Sequence, residues 1–242
     1  MPAGAIGMRQ SNRSGDLTPA SLNIAATASL SRWLNVGSGV AGSGLRPPGM
    51  CEPNWVEVRL DADPAVLPDI ESAANDLHGV SSASFDAVFS SHCIEHLYLD
   101  QALPALCEWR RVLREQGFLL LVCPDLQAAA EMIADDRLFD VAYAGITPFD
   151  IVFSHQGLVS QGRAAGHHWM EHRSGYTLSS LTQLVSQAGF EGFAGLRLRP
   201  RFELWLVATV NKRSEEALRQ LAQQHFLHVQ RQQQDHSQKP RP

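Results

Sequence analysis

Short apolar runs that end abruptly in glycine or polar residues recur along the chain. Such runs are typical of strands buried on both faces of a parallel sheet. The pattern predicts four of them, at residues 33–36, 55–60, 84–91 and 118–122. Two later runs, residues 190–198 and 202–210, predict strands joined through Arg199-Pro200-Arg201.

Apolar residues at helical spacing lie between and after these strands. They predict a helix from Leu99 to a stop at Gly117, a second over residues 126–133, and a third that Thr177 caps. Ser214 begins a fourth, amphipathic helix. This order predicts an α/β fold with a Rossmann-like, doubly wound, mostly parallel sheet.

A chain of 242 residues fits one domain. We expect a flexible N-terminal arm at residues 1–28 and a domain at 29–211. A lid-like insertion is predicted at 135–174, and a C-terminal amphipathic helix with a polar tail at 212–242. This helix either packs on its own domain or forms a homodimer contact.

Composition and charge limit the kinds of partner that this chain is expected to bind. The net charge of −5 gives no electrostatic reason to bind nucleic acid, and no apolar run is long enough to span a bilayer. The four cysteines are scattered without a Cys-x-x-Cys pair. The first thirty residues contain no continuous apolar segment, so we expect no secretory signal. We therefore expect a cytoplasmic protein without a membrane partner.

The glycines after the first run predict a ligand site. Gly37-Ser38-Gly39 would let the backbone turn sharply and approach a ligand. Residues 37–42 also satisfy Gly-x-Gly-x-x-Gly, but Pro47-Pro48 follows too soon for the helix that receives a pyrophosphate. A cofactor without a pyrophosphate fits better. Asp61, at the end of the second strand, either accepts hydrogen bonds from a ribose or starts the turn 61–64.

The order of these blocks resembles the class I S-adenosylmethionine-dependent methyltransferases. The likeness covers about residues 30–125 and 175–210, and it is carried by residues 34–39, 60–61, 84–97 and 111–118. The resemblance implies an antiparallel hairpin that closes the sheet and S-adenosylmethionine as cofactor.

The resemblance also assigns roles within the cofactor site. Gly37 and Gly39 would lie against the methionyl group, Asp61 would hold the ribose, and residues 90–92 would border the sulfonium. Where the family has an acidic contact to adenine, this sequence has Ala73 and Ala74, and Asp76 is the nearby candidate. The full predicted cofactor set is Asn35, Gly37, Ser38, Gly39, Asp61, Asp76, Ser90 and Ser91.

The implied activity is methyl transfer to a small or medium-sized acceptor molecule. For a hydroxyl acceptor, His92 and His96 are candidate bases, and Glu95 would orient an imidazole or the cofactor amine. His96 alternatively braces the following helix. A nicotinamide-dependent oxidoreductase and a non-catalytic methyltransferase-like binding protein remain as alternatives.

The insertion is assigned to substrate recognition, because it would lie above the carboxyl edge of the sheet. The predicted substrate-binding residues are His155, His168, His172 and Tyr176. His168 and His172 are spaced to share one helical face, but no acidic or cysteine ligand keeps a recognised metal spacing. No metal is therefore predicted.

Overall fold

A single seven-stranded sheet organises the protein. The structure, a computed structural model, describes residues 30–51 and 53–237. Its strands are β1 Ser31–Val36, β2 Trp55–Asp61, β3 Ile70–Glu71, β4 Phe85–Ser91, β5 Leu113–Pro124, β6 Gly192–Leu198 and β7 Glu203–Thr209. The predicted N-terminal arm and the last five residues of the predicted tail, 238–242, lie outside the described residues.

The strand order confirms the predicted fold class. The order is β3-β2-β1-β4-β5-β7-β6. Strands β1 to β5 run parallel to one another, whereas β7 is antiparallel to both β5 and β6. The predicted hairpin therefore closes one edge of a mostly parallel sheet.

The helices follow the predicted order, with two additional short helices in the insertion. They are α1 Leu99–Val112, α2 Leu126–Ala134, α3 Pro148–Phe153, α4 Gln156–Ala164, α5 Leu178–Gln187 and α6 Glu215–Ser237. The Thr177 hydroxyl accepts a hydrogen bond from the Ser180 N–H, as expected of an N-cap.

The predicted helix end at Gly117 is wrong. Helix α1 ends at Val112, and β5 begins at the next residue. A Cβ at position 117 would lie 2.9 Å from the carbonyl oxygen of Arg114 and 3.2 Å from that of Asp86. The glycine therefore permits a close backbone approach where the register between β4 and β5 is irregular.

The two faces of the sheet are covered by different parts of the chain. Helices α1 and α5 bury Leu106 and Val185 against one face. On the other face, Trp33 packs edge-on against Phe89, and α6 contributes Phe226. Burial of each such large apolar side chain contributes roughly 1.5–3 kcal/mol.

The described residues between β1 and β2 form no α-helix. The connection contains only a short 3₁₀ turn, Pro48–Met50, as its glycines and prolines predict. Helix α6 packs on this turn and on the terminal hairpin, where the Phe226 ring centroid lies 5.5 Å from that of Trp205. The amphipathic helix therefore packs on its own domain through Phe226. A dimer contact stays a prediction.

Within the described ranges, no helix combines the length and apolarity that crossing a membrane requires.

His225 makes the packing of α6 sensitive to pH. Its side chain is 1% exposed, and its ring centroid lies 5.1 Å from that of Phe118. Its Nδ1 has no hydrogen-bond partner among the residues described. Burial lowers the pKa of His225 from 6.5 to about 4, so the unfolded chain takes up a proton before the folded one does. Its stabilising contribution is complete above pH 6.5 and is lost as the pH falls from 6.5 to 4.

We expect His225→Leu to remove this dependence. The wild-type protein should lose on the order of 3 kcal/mol of unfolding free energy from this group between pH 7 and pH 4. Urea unfolding at several pH values measures the difference. The exposed His155 provides the control, since His155→Leu should retain the wild-type slope. Identical slopes in all three proteins would contradict the prediction.

Candidate functional site

A pocket of about 280 Å³ opens at the carboxyl ends of β1 and β4. In the sheet order, β1 continues to β2 on one side and to β4 on the other, so this is the switch point at which parallel sheets bind ligands. The pocket is lined by Asn35, Gly37, Ser38, Gly44, Leu45, Phe89, Ser91, His92, Arg201 and Glu203. Four of the predicted cofactor residues and one predicted catalytic residue are among them.

Gly37 is the point at which the turn after β1 approaches the segment after β4. Its φ is +70°, and a Cβ there would lie 2.7 Å from the Sγ of Cys93. Its N–H donates to the carbonyl oxygen of Leu60 at 2.9 Å. Both the backbone angle and the contact require a residue without a side chain, so the glycine shapes the floor of the pocket.

Asp61 holds the second glycine of the turn. Its carboxylate accepts hydrogen bonds from the Gly39 N–H at 2.8 Å and from the Asp63 N–H at 3.0 Å. The Arg59 guanidinium binds the Gly39 carbonyl oxygen from the other side. Asp61 therefore starts the predicted turn and braces the loop. Because a carboxylate has about four acceptor positions, it retains capacity for ribose hydroxyls.

Four predicted cofactor residues do not line the pocket, namely Gly39 and Asp61 of the braced loop together with Ser90 and Asp76. Ser90 is fully buried, and its hydroxyl has no partner in the part of the chain that the structure describes. Asp76 is exposed, and its carboxylate lies 2.5 Å from Nδ1 of His78. The imidazole holds the pKa of Asp76 below its usual value. The adenine contact stays a prediction.

His92 lies between two carboxylates at the pocket wall. Its Nδ1 is 3.3 Å from Oε1 of Glu95, and its Nε2 is 3.8 Å from Oε1 of Glu203. Burial acts to lower the pKa of His92, but Glu203 and Glu95 outweigh burial and raise it. Burial also opposes ionisation of the two carboxyls, yet His92 lowers the pKa of each. A protonated imidazole donates hydrogen bonds, so this geometry favours a binding role over that of a base.

His96 and Glu95 lie next to the pocket rather than in its lining. Glu95 is 1% exposed. The His96 Nδ1–H donates to the carbonyl oxygen of Glu171 at 3.1 Å, so His96 braces the insertion. The ring centroids of His96 and His172 are 5.0 Å apart. Burial lowers the pKa of His172.

The other predicted substrate residues also lie outside the pocket lining. His155 is exposed at the start of α4, and His168 is exposed with its Nδ1 2.9 Å from Oε1 of Glu171. Tyr176 is 3% exposed in the core, and its hydroxyl oxygen lies 3.0 Å from Oγ of Ser174. Burial raises the pKa of Tyr176.

The helical face predicted for His168 and His172 is wrong. Helix α4 ends at Ala164, and Gly166 follows with φ +82°. The next helix, α5, begins only at Leu178. A left-handed glycine ends the helix before either histidine, so their sequence spacing does not set their separation.

Arg201 and Glu203 are pocket residues that the sequence pattern did not indicate. Glu203 begins β7 and pairs with Pro124 at the end of β5. Because β7 is antiparallel, its first residues lie at the same edge as the carboxyl ends of the parallel strands. The predicted hairpin therefore indicated that the start of its second strand lies at this edge. The charged residues 201 and 203 stand next to that strand start.

Comparison with known proteins shows a partial family match. Residues 49–121 match the family described as a methyltransferase domain. This match covers less than half of the chain. The match runs from the turn before β2 into β5, and it confirms the predicted resemblance to S-adenosylmethionine-dependent methyltransferases. No curated protein matches the chain.

Solved structures with similar folds are distant in sequence from this chain. The CMeT domain of the citrinin polyketide synthase is 12% identical with a TM-score of 0.50, over 76% of this chain and 47% of that one. An S-adenosylmethionine-dependent methyltransferase from Thermotoga maritima is 14% identical with a TM-score of 0.43, over 74% and 82% of the two chains. The 1,6-didemethyltoxoflavin-N1-methyltransferase of Burkholderia thailandensis, solved with S-adenosylhomocysteine, is 16% identical with a TM-score of 0.47, over 75% and 72%.

We expect Gly37→Ala to weaken binding of S-adenosylhomocysteine at least tenfold. The added Cβ would collide with Cys93, and the left-handed angle costs a non-glycine residue about 1–2 kcal/mol. Gly42→Ala is the matched control, because Gly42 has φ +75° but no atom within 4 Å of an added Cβ. Isothermal titration of both variants separates the collision from the backbone strain. Equal affinities in the two variants would contradict the role of the Gly37–Cys93 contact.

Proposed function

We propose that this protein transfers a methyl group from S-adenosylmethionine to a small acceptor molecule held in the pocket. The observation that carries the proposal is the pocket at the carboxyl ends of β1 and β4, whose floor only a glycine can form. When bound, S-adenosylmethionine supplies a reactive methyl group on a sulfonium. The protein then has to bind donor and acceptor in line and exclude competing water.

The glycine turn and Asp61 fit the cofactor. Gly37 and Ser38 line the pocket, and Gly37 has no side chain that would separate its backbone from a methionyl group. Asp61 is fixed by the N–H groups of Gly39 and Asp63, so its carboxylate is oriented before a ribose binds. Preorganisation of this kind lowers the cost of ordering on binding.

The opposite wall of the pocket fits an acceptor that carries oxygen. Arg201 lines the pocket, its Nε is buried, and this N–H has no partner among the described residues. The Arg201 guanidinium also contacts Oε1 of Glu203 at 3.0 Å. In the proposal, Arg201 and His92 donate hydrogen bonds to the acceptor, Glu95 orients His92, and His96 supports Glu95 through the insertion.

A nicotinamide-dependent oxidoreductase fits the structure less well. The dinucleotide pyrophosphate binds at the N-terminus of a helix that follows the glycine turn. In this chain the only helical element between β1 and β2 is the 3₁₀ turn Pro48–Met50, within the residues described there.

The proposal also includes a cytoplasmic location, which the four free cysteines support.

Two measurements test the proposed activity. Isothermal titration with S-adenosylmethionine, S-adenosylhomocysteine and NAD should show binding of the first two only. Incubation of metabolite pools with S-adenosylmethionine should then yield a product heavier by one methylene, detected by mass spectrometry. Binding of NAD alone would overturn the proposal. Binding of none of the three would favour a non-catalytic binding protein.

We expect Asp61→Ala to weaken S-adenosylmethionine binding by on the order of 1.5–3 kcal/mol, or about 10- to 150-fold. The variant loses charge-assisted hydrogen bonds to the ribose and the brace on Gly39. Asp63→Ala removes an equal charge two residues away, where the carboxylate caps the Ala65 N–H, and should bind nearly as wild type does. Unchanged affinity in a folded Asp61→Ala protein would remove Asp61 from the site.

A further inference from the structure

The last residues of the insertion dock on the segment that follows β4. The N–H groups of Arg173 and Ser174 both donate to the carbonyl oxygen of Glu95, at 2.8 and 3.0 Å. From the other side, the His96 Nδ1–H donates to the carbonyl oxygen of Glu171. These contacts bring His172 beside Glu95 and His96, although His172 is distant from both residues in the sequence.

Glu95, His96 and His172 form a cluster of three potential metal ligands. One ligand atom from each residue lies within 4.8 Å of the others. Atoms bound to a common ion at about 2.0–2.2 Å lie up to about 4 Å apart. Small side-chain adjustments would therefore bring all three into one coordination sphere.

Hydrogen bonds leave the same nitrogen available on both imidazoles. The His96 Nδ1–H donates to Glu171, and the His172 Nδ1–H donates to the carbonyl oxygen of Ile151 at 2.8 Å. Each Nε2 then carries the lone pair that an ion requires. Metal-binding histidines almost always donate their other N–H to a carbonyl or carboxylate in this way, which fixes the tautomer and the ring orientation.

Glu95 provides an independent indication of a ligand. It is 1% exposed, and neither carboxylate oxygen accepts a hydrogen bond from any residue that the structure describes. The 3.3 Å approach of His92 is a charge contact without hydrogen-bond geometry. His92 compensates part of the charge, but a buried carboxylate that accepts no hydrogen bond is still costly, and a bound ion is one explanation of such a group.

We propose that Glu95, His96 and His172 bind a divalent transition-metal ion. Two imidazole nitrogens and one carboxylate are a ligand set of zinc and iron(II) sites, whereas magnesium and calcium prefer oxygen ligands. Three protein ligands leave coordination positions open to water or to an acceptor oxygen. His96 and His172 are partly exposed, so an ion can enter from solvent. The ion would fasten the insertion to the edge of the sheet, directly behind His92.

The site is tested on the metal-free full-length protein by titration with zinc, in the absence of cofactor and acceptor. We expect one zinc ion per chain with a Kd below about 1 μM, a higher Tm with zinc, and no such response to magnesium. Cobalt(II) should give visible absorption bands of a nitrogen- and oxygen-bound ion. The isosteric Glu95→Gln and the truncated His172→Ala should each weaken zinc binding at least tenfold and abolish the Tm rise.

His78→Ala is the matched control, since His78 is an exposed histidine that contacts Asp76 and is not one of the three clustered residues. It should retain wild-type zinc affinity. The proposal is overturned if neither zinc nor cobalt binds stoichiometrically, or if Glu95→Gln binds zinc as wild type does. The proposed metal site goes beyond the proposed methyl transfer. Titration of the same preparations with S-adenosylhomocysteine measures cofactor binding separately, so a failure of the metal site and a failure of the proposed function can be told apart.

Discussion

The close approach of Gly37 to Cys93 is the constraint on which the candidate site depends. The turn after β1 lies so near the segment after β4 that a single methyl group at position 37 would overlap the cysteine sulfur. This approach brings the turn after β1 and His92 to the same pocket, and Gly37 contributes no side chain to the lining. Asp61 and Arg59 then fix both polar groups of Gly39, so the loop has its shape before any ligand binds.

The missing helix between β1 and β2 determines how the other face of the sheet is covered. Trp33 and Phe89 would be exposed there if nothing replaced the helix. Helix α6 fills this place, with Phe226 against Trp205 and His225 beneath Gly49. Helix α6, as far as Phe226, is therefore part of the core beneath the pocket, and the pH at which His225 ionises limits the stability of that face.

The local sequence pattern predicted most strands, the main helices and the glycine turn, because burial and turn chemistry are encoded over a few residues. It also placed Ser91 and His92 at the pocket, since residues after a parallel strand lie at one known edge. It did not indicate Glu203, which reaches that edge only through antiparallel pairing with β5. Nor could spacing give the position of His172, which depends on how a glycine-broken insertion docks on Glu95.

Glu95 connects the insertion to the pocket. Its carbonyl oxygen receives two N–H groups from the end of the insertion, while its carboxylate faces His92 at 3.3 Å and the imidazoles of His96 and His172. Displacement of the insertion would break the hydrogen bonds to the backbone of Glu95, the residue whose carboxylate contacts His92 at the pocket wall. The end of the insertion and the pocket wall therefore meet at one buried residue, which the sequence alone marks only as a glutamate after a strand.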